Sequence, residues 1–302
     1  MKRGFVCSFA IAIAISLPAV CSKSLETRTT VVTKPTNQRS EQSVSSQPQP
    51  TCCPIVELRK YKLHPGKRDT LIELFDREFV ESQEAVGMTV IGQFRDLDDP
   101  DRFVWLRGFR DMPSRAHSLK EFYGGSVWKA NREAANATMV DTDNVLLLRP
   151  ALPSTGFSGK RSEGRPPRAS IGSQGLVVAT IYYFSAPVGA DFVDFFEHTV
   201  KAIVTDAGAS ILAYFVTENS ANTFPALPVR EREHVFVWFM GFADQAEYER
   251  YATTLAGSQR WRGQVSEELT RRLKGAPEVL KLSPTPRSHL RGSLDESDNS
   301  NR

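Results

Sequence analysis

FVWLRGF at 103–109 and FVWFMGF at 236–242 are nearly one strand written twice, 133 residues apart. Trp128 and Trp261 repeat at the same spacing, so the duplication reaches beyond a single strand. Around each copy the pattern is shared. A strand (VELRKYKLHPG, ATIYYFSAPVG) leads into a helical stripe: Ile72, Phe75, Phe79 and Val86 in the first block, Phe192, Phe196, Val200, Ile203 and Ala207 in the second. Each stripe stops at a glycine, Gly87 or Gly208, the residue that most readily closes a helix in the left-handed conformation. A short strand (VIGQFR, ILAYFV), the FVW strand, a helical region around the tryptophan and a last strand (NVLLLRP, EVLKLSP) follow in both blocks. Two landmarks at one spacing, inside one order of elements, identify an internal repeat.

The order β-α-β-β-α-β is the ferredoxin-like plan, an antiparallel sheet with helices on one face. Along the FVW strand Phe103, Trp105 and Phe109 point one way, while Val104, Leu106 and Gly108 point the other. Both faces are therefore apolar, and a sheet apolar on both sides needs a second layer. The other repeat supplies it. The expected fold class is α+β, with two tandem ferredoxin-like repeats closing one intramolecular barrel and all helices outside.

The two blocks occupy 52–150 and 175–282, and the remaining segments read differently. Lys2 and Arg3 precede an apolar run ending near Val20, followed by small residues, which is a secretory leader pattern over 1–21. Cys21 is a candidate lipid-anchor residue. A genuine leader implies a periplasmic or secreted protein, otherwise a cytoplasmic one. The run is too short for a stable membrane span. Residues 22–51, 151–174 and 283–302 are rich in Ser, Thr, Gln and Pro and read as disordered spacer, basic linker and tail.

Charge and cysteine usage exclude several classes. The net charge is only +3, and the 151–174 segment carries that excess by itself, so no basic footprint for nucleic acid remains. Cys52 and Cys53 are neighbours, which bridge only with a distorted peptide bond, so no disulfide framework is implied. The five histidines show no ligand spacing with each other or with cysteine, and no metal or cofactor is expected.

CCPIVELRKYKLHPGKRD, GMTVIGQFRDLDDPDRFVWLRGF and FYGGSVWKANREAANATMVDTDNVLLLRP resemble the NIPSNAP family of the dimeric α+β barrel superfamily. The likeness is close over 52–150 and weaker over 175–282. It implies tandem ferredoxin-like domains with no established reaction, a bacterial type carrying an added leader. Superfamily relatives include monooxygenases that oxidise polycyclic or quinol substrates without metal or flavin.

Alternation yields a candidate binding set. If Trp105 faces the barrel lumen, so does Arg107, and Arg59, Tyr61, Gln93 and Arg95 join them, with Glu57 alongside. The second-half counterparts are then Tyr182, Phe184, Tyr214, Val216, Trp238 and Met240. One wall is cationic and the other aromatic and apolar. This suits a small apolar or acidic ligand, because a desolvated guanidinium needs a carboxylate, water or an anion beside it. Trp128, Arg132 and Asn136 share a helical face that could line the same cleft. No catalytic residue stands out, since His117 and His198 lack an evident nucleophile or carboxylate partner.

Three readings follow. The first is a ligand-binding or sensing barrel, and the second is an oxygenase-like enzyme, as the resemblance implies. The third is an interaction module with a filled barrel, for which a second copy of the chain is a candidate partner. An open lumen of at least ~300 Å³ would favour the first two.

Overall fold

A computed structural model describes residues 51–158 and 175–292. The leader at 1–21 lies outside the described residues, as do residues 22–50 of the spacer, 159–174 of the linker and 293–302 of the tail. In the first repeat, strand β1 (Ile55–Leu63) is followed by α1 (Arg68–Leu74), which continues through a π-helical turn, Phe75–Phe79, into α2 (Val80–Glu84). Then come β2 (Thr89–Asp96), β3 (Arg102–Phe109), α3 (Met112–Gly124), α4 (Ser126–Asn136), the short β4 (Met139–Asp141) and β5 (Val145–Pro150). The second repeat answers with β6 (Leu176–Phe184), α5 (Ala190–Phe195), a π turn at Phe196–Val200 and α6 (Lys201–Asp206). It ends with β7 (Ser210–Thr217), β8 (His234–Phe242), α7 (Gln245–Gly257), a π turn at Trp261–Ser266, α8 (Glu267–Arg272) and β9 (Glu278–Pro284).

Local signals account for the shared boundaries. Gly87 and Gly208 take φ of 90° and 108°, ending the first helix of each repeat where sequence places the cap. Asp111 and Asp244 accept from the backbone N–H of Ser114 (2.6 Å) and Glu247 (2.7 Å), capping α3 and α7 alike. β2 and β7 carry a register shift at equivalent places, between Val90 and Gly92 and between Ile211 and Ala213.

All pairings are antiparallel, and they close a ring: β1-β3-β2-β9-β6-β8-β7-β5 and back to β1. The two sheets meet at β2–β9 and β5–β7. The interior is filled by apolar side chains. Val56, Leu58, Val104, Leu106, Val177, Ile181, Val237 and Phe239 belong to one buried cluster drawn from all eight ring strands. An eight-stranded barrel is about the size that side chains fill unaided. Two further clusters lie outside the ring, each between one sheet and its own helices.

Two expectations about boundaries are corrected. Residues 151–158 are not free linker: Phe157 is buried against Phe215 and Phe239, with ring centroids 5.0 and 5.1 Å apart. Its carbonyl accepts from the Cys52 N–H at 2.9 Å, and Cys52 is joined to its neighbour Cys53 by a disulfide. The tail likewise packs as far as Gly292. The Leu290 N–H donates to the Ile91 carbonyl (2.9 Å), Ser288 is fully buried, and the guanidinium of Arg287 donates to the Asp76 carbonyl (2.8 Å) and pairs with Glu81. Composition hid both segments, because Phe157 holds the first and Arg287 with a few backbone hydrogen bonds holds the second.

Candidate functional site

The FVW strand decides the site, but its faces are the reverse of the sequence expectation. Val104 and Leu106 point into the barrel, whereas Trp105, Phe103 and Phe109 pack under the helices of the first repeat. Arg59, Tyr61, Trp105 and Arg107 are therefore brought together, as expected, but in the sheet–helix layer instead of the lumen. Tyr182, Tyr214, Trp238 and Met240 occupy the matching layer of the second repeat, with the filled barrel between the two sets, so they share no cleft with the first set. Phe184 and Val216 lie in that same layer.

The strand equivalence also moves by two residues. Glu57 stands opposite Arg107 and Arg59 opposite Trp105, while Val178 stands opposite Met240 and Thr180 opposite Trp238. Arg59 thus corresponds to Thr180 and Tyr61 to Tyr182. Gln93 and Arg95 do not join the site. Gln93, opposite Trp105, donates its side-chain amide to Asp76 Oδ1 (3.4 Å) and not to the cluster, and Arg95 pairs with Asp69 (2.7 Å) at the outer end of the layer.

At the centre sits Glu57, fully buried and gripped by three guanidiniums. Its Oε2 accepts from Arg59 Nη1 and Arg107 Nε, both at 2.7 Å, and its Oε1 accepts from Arg115 Nε at 2.6 Å. Arg59 Nε donates to the Tyr61 hydroxyl (3.0 Å), and Arg107 Nη1 donates to Gln83 Oε1 (3.2 Å). Arg115 Nη1 donates to Asn222 Oδ1 and Thr223 Oγ1, both at 3.0 Å, on the loop between β7 and β8. Arg59 and Arg107 also flank the Trp105 ring, 5.6 and 5.0 Å from its centroid, where a cation meets the negative face of the π system.

The charge balance is lopsided. The ion pairs of all three guanidiniums end on the single carboxylate of Glu57, and Arg107 Nη2 and Arg115 Nη2 are buried without a partner. Burial alone would raise the Glu57 pKa, but the guanidiniums of Arg107, Arg59 and Arg115 hold its carboxyl far below the usual carboxylate range. Burial lowers the Arg115 pKa, and Glu57 offsets only part of that. For Tyr61, burial raises the pKa against the opposing pull of Arg59, so the hydroxyl keeps its proton. Because that oxygen accepts from Arg59, its own O–H is polarised as a donor.

Beside this cluster lies a chamber of 40 Å³ lined by Tyr61, Phe75, Gln83, Trp105, Tyr123 and Trp128 among others. It adjoins an outer depression of 240 Å³, and Tyr61, Tyr123, Trp128 and Met139 line both. The arginines stand one layer behind, touching the chamber through Tyr61 and Gln83. An aromatic box with polarised donors and a cationic backing suits an acceptor-bearing, flat molecule. Sequence reasoning missed Gln83, Tyr123 and Arg115. Arg115 was detectable, since it heads the buried α3 stripe continued by Ser118, Leu119 and Phe122, at the 133-residue offset from Tyr248. On α4, Trp128 lines both cavities and Asn136 the outer one, while Arg132 is exposed. His117 borders a separate surface hollow, and His198 is held by the Asp194 carbonyl. Among the described residues no acidic, histidine or cysteine group is arranged to hold a metal, and no helix is long and apolar enough to cross a membrane.

Residues 56–154 match the NIPSNAP family model. The first repeat is thus similar to NIPSNAP proteins over that span. The match covers the repeat with the ionic cluster and ends before the second repeat begins. Solved structures similar to the chain include a NIPSNAP-like domain protein of Burkholderia xenovorans, 24% identical, covering 36% of this chain and 97% of that one, TM-score 0.31. A NIPSNAP family protein of Agrobacterium tumefaciens is 21% identical, covering 32% and 85%, TM-score 0.30. A candidate monooxygenase of Lactobacillus acidophilus is 17% identical, covering 80% and 100%, TM-score 0.46. No curated protein matches the chain.

Proposed function

We propose that the NIPSNAP repeat is the binding half of the molecule. It takes a small, flat, largely apolar molecule with an anionic or carbonyl end into the chamber between Trp105 and Trp128. The observation that carries this is the buried cationic excess: three guanidiniums against Glu57, with Arg107 Nη2 and Arg115 Nη2 unpartnered. Each unpaired buried charge costs several kcal/mol, about the scale that a bound anion would offset. The barrel lumen is filled and takes no part. That filling is what the interaction-module reading expects of the barrel, but it leaves the polar cluster outside the barrel unexplained.

The test uses salicylate against its neutral analogue salicylamide, by calorimetry, together with native mass spectrometry of the purified protein. Salicylate should bind more tightly than the amide. Arg107→Met, which installs the residue found at position 240, should leave the fold intact and weaken salicylate by about tenfold to a hundredfold, as for a lost charged hydrogen bond. Equal affinity for both probes, unaffected by Arg107→Met, would overturn the reading.

A further inference from the structure

The depression outside the chamber has a wall that does not belong to the first repeat, because Leu227 lines it. In the first repeat β2 and β3 are joined by the short turn 97–101, whereas β7 and β8 are joined by the long loop 218–233. That loop crosses to the first repeat. Asn222 and Thr223 take the Arg115 guanidinium, and the Phe224 ring stacks on Tyr123 with centroids 5.9 Å apart and an interplanar angle of 23°. Leu227 lines the outer depression, and both Phe224 and Leu227 pack against the first repeat's aromatic cluster. Tyr123 is one of the side chains common to chamber and depression, so Phe224 stacks on a residue of the neck.

We infer that Phe224 and Leu227, carried by the second repeat, determine which molecules reach the first repeat's chamber, by forming a movable cover on its neck. Three observations support this beyond the contacts themselves. The chamber holds only 40 Å³, far below the ~300 Å³ of an ordinary ligand pocket, so its surroundings must move apart to admit one. No residue of 218–233 is buried, and a segment with little buried area opens at low cost. The loop also keeps its own shape: Asn222 accepts from the Phe224 N–H (3.0 Å) and donates to the Leu227 carbonyl (2.9 Å). Its base is pinned where the Arg230 N–H meets the Val145 carbonyl (2.9 Å). It can thus swing as a unit without unravelling, the behaviour expected of a lid. Arg115 would then exchange the neutral oxygens of Asn222 and Thr223 for those of an anion.

The anion step rests on the binding role proposed above, but the cover does not, and one experiment separates them. In a Trp261→Phe background, acrylamide quenching reports access to Trp105 and Trp128, while Trp238 stays in the dry layer. Phe224→Ala, and independently Leu227→Ala, should raise the quenching constant by about twofold or more. The same variants should speed salicylate association in stopped flow. Unchanged quenching in both variants would overturn the cover. Raised quenching with no preference for salicylate over salicylamide would keep the cover and overturn the binding role.

Discussion

The two repeats share a frame and differ in one layer. Strand order, helix caps, the π turn of the first helix and the β-bulge recur in both, yet the layer between sheet and helices holds opposite chemistry. In the first repeat it contains Glu57, Arg59, Gln83, Arg107 and Arg115; in the second, the same places are filled by Val178, Thr180, Val204, Met240 and Tyr248. The buried charges of the first layer cost desolvation that the second layer's Val178, Val204 and Met240 avoid, so the second shows what this frame needs merely to fold. The excess in the first marks what folding does not require. The first layer also keeps a chamber, while in the second Phe196, Phe236, Tyr214 and Trp238 pack ring against ring.

The sharpest way to break this comparison is Glu57→Gln, which leaves three guanidiniums without their carboxylate. Stability should fall by about 3–5 kcal/mol, lowering Tm by roughly 6–20 °C. The variant should also lose an acid-dependent component. The folded pKa of Glu57 is depressed, so its contribution is complete above the ordinary carboxylate range, about pH 4.3, and is lost as pH falls below it. Urea titrations from neutral to acid pH should show a shallower decline in the variant. A loss under about 1 kcal/mol would mean that the cluster is solvated and the contrast between the layers is false.

A second experiment converts one layer into the other. Replacing the four charged members of the cluster with the second repeat's residues (Glu57→Val, Arg59→Thr, Arg107→Met, Arg115→Tyr) removes their charges together. Denaturant unfolding should show stability unchanged or raised by about 1–4 kcal/mol, while salicylate binding disappears. Strong destabilisation would show that the ionic cluster supports the fold and is not an addition to it.

The smallest effect checks the shared frame. Asp111→Ala and Asp244→Ala remove equivalent helix caps, and each should cost about 1 kcal/mol by the same measurement. Unequal losses would show that the frame differs between the repeats as well as the layer.

Repetition, element order, helix stops and the partnership of Arg59, Tyr61, Trp105 and Arg107 were all set by local rules and could be read from the chain. Two strands with the same alternation and the same flanking helices leave little freedom about the fold. Alternation sorts residues onto two faces, but it does not say which face meets the helices. Val104 and Leu106 are as apolar as Trp105, so only three-dimensional volume chose between them. The eight-stranded interior is filled by Val, Leu, Ile and Ala with Phe94, Phe157, Phe215 and Phe239 among them, whereas the space beneath the helices accommodates Trp105 and the guanidiniums beside it. Gln83, Arg115 and Tyr123 reach the site from separate helices, and Asn222 to Leu227 arrive from the other repeat. No spacing along the chain encodes those meetings, because they depend on closure of the barrel, which sets the two halves side by side.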